Sequence, residues 1–207
     1  MRNKSSKLAL TATFGLALAF TFSCSLVNYG GDDKGNNMAN YKTVQIGSQT
    51  WMAENLNYNY NYGIDSECYN DDSANCEKYG RLYDWKTAKK VCPAGWHLPS
   101  ESDWDELISY VESNNGCSAC AGKHLKAASG WNSGGNGTDT CGFSALPGGG
   151  KAWGKFYDVG DSGYWWTATE LNAGSDYAIF KYMWSHESVP SSSYDKSRQF
   201  SVRCVRD

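Results

Sequence analysis

The chain has 207 residues and a formal net charge of −3, and it is rich in aromatic and small residues, with 9 Trp, 14 Tyr and 22 Gly. A net charge this close to zero gives no electrostatic footprint for nucleic acid, so we expect no nucleic-acid partner. The composition favours a core built from aromatic rings and glycine turns over one built from leucine-rich helices.

The N-terminus has the pattern of an export signal. Arg2, Lys4 and Lys7 precede an uncharged apolar run over residues 8–20. This run is too short to cross a bilayer as a helix, which is typical of a secretory signal and not of a membrane span. The sequence therefore predicts a signal peptide over residues 1–23.

The end of this signal resembles a bacterial lipobox, because a small residue stands directly before Cys24. The resemblance implies cleavage before Cys24, lipidation of its thiol, and attachment to the outer membrane or cell surface. Thr21 stands where leucine is commoner in that motif, so the alternative is an ordinary signal peptide with a spare cysteine. Residues 24–40 are rich in Gly, Asn and Asp and predict a lipid-anchored flexible tether before one domain over residues 41–207.

Eight cysteines behind an export signal indicate disulfides formed in an oxidising compartment. Cys68 and Cys76 bracket a short turn-forming segment whose ends meet easily, so we expect them to pair. If Cys24 carries lipid, an odd number of cysteines remains and one of them is unpaired.

The clearest secondary-structure signal follows Pro99, which cannot continue an incoming helix. Ser100 is a favourable N-cap, and Asp103 completes a capping-box pattern. An apolar helical face follows at Trp104, Leu107, Ile108 and Val111. The pattern predicts a helix over residues 101–112.

The other predicted elements are short and point to an α+β domain. A hairpin is expected over residues 41–47 and 49–55, helices over 83–91 and 121–128, and strands over 163–169, 176–184 and 198–205. In the last strand, alternation places Phe200, Val202 and Cys204 on one face and Ser201 and Arg203 on the other.

Six segments carry a resemblance to a known family. They are Gln49-Thr-Trp-Met-Ala-Glu-Asn-Leu, Tyr79-Gly-Arg-Leu-Tyr-Asp-Trp, Cys92-Pro-Ala-Gly-Trp-His-Leu-Pro-Ser, Gly142-Phe-Ser-Ala-Leu-Pro-Gly-Gly, Tyr164-Trp-Trp-Thr-Ala-Thr-Glu and Phe200-Ser-Val-Arg-Cys-Val. In this order they resemble the Fibrobacter succinogenes major paralogous domain over nearly all of residues 41–207. The resemblance implies a C-type-lectin-like fold, with two main helices and a mostly antiparallel sheet with long loops, on exported or surface-attached bacterial proteins.

The resemblance also implies a disulfide, because in that fold a cysteine at an early helix bridges to one on the final strand. This corresponds to Cys92–Cys204. Of the remaining cysteines, a local Cys117–Cys120 bridge with Cys141 unpaired is favoured, and Cys120–Cys141 is the alternative. Cys141 stands where the family has an aromatic residue, which fits an unpaired thiol.

The sequence offers little support for an enzyme. The resemblance brings no catalytic residues, and the motifs of calcium-dependent lectins are absent from the sequence. His97, His124 and His186 stand in unrelated contexts without ligand spacing, so we expect no metal and no cofactor. Cys117-Ser-Ala-Cys120 has the spacing of a redox motif but no βαβ context, which favours a structural bridge over a thiol oxidoreductase.

Binding is the favoured function, through the loops between residue 147 and the last strand. Aromatic side chains there offer large contact areas at low entropic cost, beside polar neighbours. The candidate ligand-binding residues are Trp153, Tyr157, Trp184, His186 and Tyr194, of which Trp153, Trp184 and Tyr194 are expected to be exposed. At least one of Trp165 and Trp166 is expected in the core, because adjacent strand residues face opposite ways.

Two functions from different classes follow from these observations. The first is a surface adhesion module that binds polysaccharide or a cell-surface protein through the aromatic loops. The alternative is a structural envelope protein, stabilised by disulfides, with no specific ligand.

Overall fold

The structure is a computed structural model that describes residues 24–27, 41–60 and 66–207. The predicted signal peptide (residues 1–23) and residues 28–40 of the predicted tether lie outside the described residues. Short helices and mostly antiparallel sheets make the described part an α+β fold, which confirms the predicted class. None of its helices is both long enough and apolar enough to span a bilayer.

The described strands form two larger sheets and one small one. In chain order, the strands are β1 (Ser25–Val27), β2 (Thr43–Ile46), β3 (Gln49–Met52), β4 (Ser66–Glu67), β5 (Leu82–Tyr83), β6 (Trp96–His97), β7 (Gly148–Ala152), β8 (Lys155–Val159), β9 (Gly163–Glu170), β10 (Tyr177–Met183), β11 (Ser191–Asp195) and β12 (Val205–Arg206). The first sheet has the order β1-β2-β3-β12-β6, and the second has the order β11-β10-β9-β7-β8. All strand pairs described are antiparallel except β7 with β9, and β4 pairs with β5 alone.

The longest described helix confirms the clearest sequence signal. The helices are α1 (Ser73–Tyr79), α2 (Trp85–Ala88), α3 (Glu101–Asn115) and α4 (Ala121–Leu125). At the start of α3, the Ser100 hydroxyl accepts the backbone N–H of Asp103, and the Asp103 carboxylate accepts the backbone N–H of Ser100 at 2.7 Å. The predicted apolar face of α3 packs into a core through Trp104, Leu107 and Val111.

The other helices differ from the predictions in extent. Of the helix predicted over residues 83–91, only α2 is helical, because Tyr83 is extended and bridges to Phe200. Helix α4 confirms the beginning of the helix predicted over residues 121–128. Helix α1 was not predicted; it begins after Asp72, whose side chain caps it, inside a segment whose composition predicts a turn.

The first described residues are not a free tether. Ser25–Val27 pair antiparallel with β2, and Cys24 forms a disulfide with Cys141. Cys141 is therefore not the unpaired cysteine expected, and in this state the sulfur of Cys24 cannot carry a lipid thioether. No local pattern could indicate this bond, because 117 positions separate its two cysteines.

The three expected disulfides are present, and the alternative Cys120–Cys141 bond is not formed. They are Cys68–Cys76, Cys92–Cys204 and Cys117–Cys120. The Cys92–Cys204 bond spans 112 positions and ties the segment before β6 to the last segment of the chain. Long-range bonds of this kind typically stabilise a domain by about 2–4 kcal/mol.

Strand β9 lies between two hydrophobic cores. Because consecutive strand residues point to opposite faces, Trp165 and Trp166 enter different cores, and both are fully buried. The Trp165 ring lies 6.2 Å from that of Trp104, and the Trp166 ring lies 4.6 Å from that of Phe200. The sequence required only one of these two tryptophans to be core; the structure buries both.

The strand predicted over residues 198–205 is not continuous. Only its end belongs to β12, whereas Phe200 and Ser201 form isolated bridges to β5 and β9. The predicted alternation of faces is present, but both faces are buried, including those of Ser201 and Arg203.

This last segment joins the two larger sheets. The backbone N–H of Trp166 in β9 bonds the carbonyl of Ser201 at 3.2 Å, and the N–H of Met52 in β3 bonds that of Cys204 at 3.0 Å. The segment forms only a few backbone hydrogen bonds with each of the two sheets. It is therefore extended without being a regular strand.

A buried polar centre lies on this segment. Arg203 donates through Nε and Nη2 to Asn55 Oδ1, at 3.2 and 2.8 Å, and through Nη1 to the carbonyl oxygen of Phe143. Asn55 Oδ1 also accepts the indole N–H of Trp165 at 2.9 Å, and Asn55 Nδ2 donates to the carbonyl oxygen of Tyr79 at 2.8 Å. Burial lowers the pKa of Arg203 to about 9, so the guanidinium is charged at neutral pH.

Removing the acceptor at this centre should be strongly destabilising. Asn55→Ala deprives the Arg203 guanidinium and the Trp165 indole of their shared acceptor, and we expect the free energy of unfolding to fall by roughly 3–5 kcal/mol. The exposed Asn59→Ala is the matched control and should change it by less than about 0.5 kcal/mol. Urea unfolding of both variants measures the difference, and similar losses in the two would contradict this role of Asn55.

A second prediction concerns alkaline pH. Burial raises the pKa of Tyr83 well above its ordinary value, and its hydroxyl donates to the carbonyl of Tyr58 at 2.8 Å. Above about pH 10 the unfolded chain loses this proton while the folded chain keeps it, so the free energy of unfolding falls as pH rises. Tyr83→Phe should reduce that slope by up to about 1.4 kcal/mol per pH unit.

Urea unfolding between about pH 8 and about pH 11 gives the slope for each variant. The exposed Tyr177→Phe is the control and should keep the wild-type slope. Equal slopes in wild type and Tyr83→Phe would show that Tyr83 does not carry the effect.

Candidate ligand-binding face

A run of five rings in successive contact, here called the aromatic ladder, crosses one face of the second sheet; Tyr164, Tyr182 and Trp184 stack, and the two end rings are edge-on or tilted. Its members are Tyr157, Tyr164, Tyr182, Trp184 and His186. Successive ring centroids are 5.8, 6.3, 4.9 and 4.8 Å apart in that order. His186 is exposed and the other four side chains are half-buried, so the ladder presents ring surface to solvent while its inner side packs on the protein.

Strand register explains why these rings meet. Tyr164 on β9 is the direct neighbour of Tyr182 on β10, so their side chains lie side by side on one face. Trp184 and His186 follow the end of β10 at alternate positions and extend the row. Tyr157 on β8 begins it at the other end.

The ladder rests on a rigid aromatic core. The Tyr164 ring stacks on Phe200 at 5.1 Å, and Tyr182 lies 5.8 Å from Phe180. Phe200 and Phe180 are themselves in contact and fully buried. Rings fixed in this way lose little conformational freedom when a ligand binds.

Two phenol groups at one end of the ladder remain protonated at neutral and mildly alkaline pH. The hydroxyl of Tyr164 donates to Asp158 Oδ2 at 2.6 Å, and burial together with this bond raises its pKa well above the ordinary value. Burial also raises the pKa of Tyr157. The Tyr157 hydroxyl can therefore donate a hydrogen bond to a ligand, whereas the single proton of the Tyr164 hydroxyl is already donated to Asp158, so Tyr164 offers its oxygen as an acceptor. The Asp158 carboxylate is a further acceptor beside them.

A second feature adjoins the ladder at Tyr157 and is here called the Arg198 clamp. The Arg198 guanidinium carbon lies 3.6 Å from the ring centroid of Tyr194 and 4.3 Å from that of Trp153. Arg198 Nη1 also lies 3.5 Å from the Tyr157 hydroxyl. Arg198 is thus held between two exposed rings by cation–π contacts.

Turn geometry places Trp153 in solvent. Trp153 and Gly154 form the two-residue loop of the β7–β8 hairpin, and both have positive φ (47° and 74°), as hairpin turns of the primed type require. Trp153 is 88% exposed and Tyr194 is 40% exposed, which confirms both exposure predictions. Tyr194 lies flat on Phe180 at 5.5 Å.

A buried lysine supports the far end of the ladder. Lys126 directly follows α4. Its Nζ donates to the carbonyl oxygens of Trp184 and His186 at 2.6 and 2.9 Å. Burial lowers the pKa of Lys126. Two carbonyl bonds to one cation fix the backbone that carries these two rings.

The structure divides the five residues predicted from the sequence into two groups. Trp153, Tyr157 and Tyr194 surround Arg198, whereas Trp184 and His186 form the far end of the ladder. The prediction that Trp184 is exposed is wrong, because stacking on Tyr182 leaves it half-buried.

The sequence reasoning missed Tyr164, Tyr182 and Arg198. Tyr164 and Tyr182 connect the two groups, and strand alternation through Phe180, Tyr182 and Trp184 was the signal that could have found them. Arg198 has no signal of its own, since only the fold brings it between two rings.

The ladder is a surface strip and not a pocket. A cleft of about 620 Å³ lies elsewhere, beside α1, and shares none of the ladder residues. Its lining includes Glu54, Glu77 and Asp139 together with Lys42 and Lys78, so its charges are mixed. Asn55 and Tyr79 of the polar centre line this cleft, so part of its wall belongs to the group of hydrogen bonds that holds the fold.

Comparison with known proteins identifies the family. A family model described as the Fibrobacter succinogenes major domain matches residues 44–206, which include the ladder, the Arg198 clamp and the polar centre. Neither a curated protein nor a solved structure matches the chain. The match covers well over half of the sequence, and the chain belongs to the Fibrobacter succinogenes major domain family.

Proposed function

We propose that this domain is a non-enzymatic binding module of the bacterial cell envelope that recognises polysaccharide through the aromatic ladder and the Arg198 clamp. The observation that carries the proposal is the continuous run of five half-open rings on a rigid core. Sugar rings have apolar C–H faces, and these faces stack on tyrosine and tryptophan. A row of such rings suits an extended chain better than a compact small molecule.

Polar groups along the same face support a sugar ligand. The Asp158 carboxylate offers an acceptor and the Tyr157 hydroxyl a donor at one end, and Arg198 offers guanidinium N–H groups beside Tyr157. Sugar hydroxyls act as both donors and acceptors, so they can bond to each of these groups while their ring faces stack. Aromatic contact area combined with a few fixed polar groups is typical of specific binding surfaces.

We propose a C-type-lectin-like arrangement for the fold. Two features support it: the Cys92–Cys204 bond ties an early segment to the last one, and the candidate binding residues lie on the long stretch between residue 147 and the final segment. In this arrangement the disulfide holds the scaffold while the intervening strands present the ladder.

A protein partner is the second candidate, favoured by one observation. Trp153 is 88% exposed at a hairpin tip, and Arg198 and Tyr194 lie against or beside it. Trp, Tyr and Arg are the residues most enriched at the centres of protein interfaces. Both candidates use the Arg198 clamp, but only polysaccharide binding requires Tyr182 and Trp184, so variants of these two rings can separate the candidates.

Loss of ladder rings should weaken polysaccharide binding. We expect Tyr182→Ala and Trp184→Ala each to reduce affinity for a retained polysaccharide roughly tenfold, or about 1.4 kcal/mol, because each removes one stacking surface. The measurement is retention of the domain on insoluble cellulose, xylan and cell-wall fractions, followed by isotherms on the retained material.

Tyr177→Ala is the matched control for the ladder variants, because Tyr177 is exposed on β10 but outside the ladder. Circular dichroism establishes that each variant is folded. Equal retention of wild type and both ladder variants would reject the ladder as the site. Loss of a captured protein in Trp153→Ala, with polysaccharide retention unchanged, would favour the protein partner. No retention and no ligand-induced shift in melting temperature would favour a structural envelope protein.

We also propose that the protein is exported and attached to a membrane. The disulfides support export, because disulfides persist in oxidising compartments. Attachment requires the Cys24 sulfur to carry a lipid thioether, and this excludes the Cys24–Cys141 bond, because one sulfur cannot form both. In the lipid-anchored form, Cys141 is therefore a free thiol.

We expect the mature exported protein to begin at a lipidated Cys24 and to show one thiol, at Cys141, that is alkylated after denaturation without reduction. Peptide mass spectrometry of the native protein measures both. Recovery of a Cys24–Cys141 disulfide peptide as the main species would contradict anchoring through Cys24.

A further inference from the structure

Two cysteines and a histidine, to which the sequence reasoning assigned no ligand spacing, form a cluster beside α4. Cys117, Cys120 and His124 each offer one ligand atom, and these atoms all lie within 4.8 Å of one another. From the sequence, His124 was assigned no Cys/His ligand spacing, and the fold brings its imidazole beside the two cysteines. The sequence signal for this cluster is the spacing Cys-x-x-Cys-x-x-x-His. It is easily overlooked because the same two cysteines also suit a local disulfide.

The local fold accounts for the cluster. Helix α3 ends at Gly116 in a left-handed conformation (φ 62°), which turns the chain back toward α4. Cys120 is the N-cap of α4, and its backbone N–H donates to Glu112 Oε1 at 3.2 Å. His124 lies four residues after Cys120, so both side chains project on one side of the short helix.

A second layer of groups holds the imidazole. His124 Nδ1 lies 3.2 Å from Thr140 Oγ1 and 3.4 Å from Thr138 Oγ1. The backbone N–H of Thr140 bonds the carbonyl of His124 at 3.1 Å, which keeps the two segments together. Outer groups of this kind orient ligands and contribute to metal affinity.

The cluster is open to solvent on one side. Cys117 and His124 are half-buried, whereas Cys120 is buried. A metal ion and a reductant can therefore reach the site from Cys117, and a fourth coordination position faces outward. In an imidazole–thiolate site this position is filled by water or by a bound group.

We propose that this cluster is a redox-gated zinc site, formed when the Cys117–Cys120 disulfide is reduced. A dithiol reductant transfers two electrons and two protons to the disulfide, leaving two Cys thiols and an oxidised reductant. One Zn²⁺ then binds both sulfurs as thiolates and the imidazole through one nitrogen, with release of two protons to solvent. With the disulfide closed, the sulfurs cannot ligate and the site does not bind.

The ligand set and its dimensions favour zinc. Two thiolates and an imidazole are characteristic ligands of this borderline-soft ion, whereas Ca²⁺ and Mg²⁺ require oxygen ligands. Two sulfurs on one zinc ion are at most about 4.6 Å apart, since each Zn–S bond is about 2.3 Å. The imidazole nitrogen lies within 4.8 Å of both sulfurs, so once the disulfide opens and the sulfurs move apart, side-chain rotations can complete the site.

This disulfide is also the one whose opening disturbs the fold least. It closes a loop of sequence separation 3, compared with 112 for Cys92–Cys204. A bond that closes so short a loop restricts the unfolded chain little and contributes correspondingly little to stability. The buried Cys204 restrains the core, whereas the partly exposed Cys117 does not.

The test uses the full chain, first oxidised and then treated with a dithiol under anaerobic conditions. Addition of Co²⁺ as a spectroscopic probe should give one equivalent of four-coordinate cobalt with thiolate-to-metal charge transfer, displaced by Zn²⁺, only after reduction. Cys117→Ser and Cys120→Ser should abolish this signal. His124→Gln should weaken Zn²⁺ binding by roughly 10–100-fold or more.

A Cys68→Ser/Cys76→Ser double variant is the matched control, because it removes another disulfide and leaves the cluster intact; it should bind as wild type does. Circular dichroism establishes that each variant is folded. Binding that is equal in wild type and the Cys117, Cys120 and His124 variants, binding that needs no reduction, or no binding at all would each overturn the zinc site.

Discussion

The buried guanidinium of Arg203 is the group on which most of this fold depends. A charge without acceptors in a core is very costly, and Asn55 and the carbonyl of Phe143 supply them here. Asn55 in turn receives the Trp165 indole and bonds the carbonyl of Tyr79. Five of the segments that carry the family resemblance therefore meet at one charge. The sixth is tied to the neighbouring position by Cys92–Cys204.

This centre also sets where the proposed binding surface lies. The segment that carries Arg203 is buried on both faces and bonds to both larger sheets, so it fixes their relative position. Trp165 turns toward the polar centre, and Tyr164 and Trp166 turn toward the other core. The aromatic ladder begins at that second face. The proposed binding surface is thus the solvent side of the second core, and the strand beneath it is held from its other face by the hydrogen bond of Trp165 to Asn55.

Local signals in the sequence were sufficient for some elements. Helix α3 follows from a capping box and an apolar period, and β9 and β10 follow from runs of aromatic and β-branched residues.

Other elements could not be predicted in full. The last segment has the alternation of a strand, but alternation does not show that both of its faces are buried. The β7–β8 hairpin was missed, since three glycines in β7 resemble a loop. The ladder was found only in part: Tyr157, Trp184 and His186 stand in segments that the sequence marks as aromatic among polar residues, whereas Tyr164 and Tyr182 depend on strand register. The Cys24–Cys141 bond depends on a contact that no local pattern encodes, whereas the His124 cluster has a local spacing that also fits a simple local disulfide.

The alternation along β9 has a consequence for how the family can diversify. Residues that hold the fold, such as Trp165 and Trp166, point into closed cores, where a change of size or polarity is costly. Tyr164 of the ladder lies on the same strand, and Tyr182 lies beside it on β10, but both side chains are half in solvent. Substitution there would alter the proposed binding surface while the scaffold stays intact. On the proposed function, relatives that share this architecture can therefore differ in ligand through a handful of ladder residues.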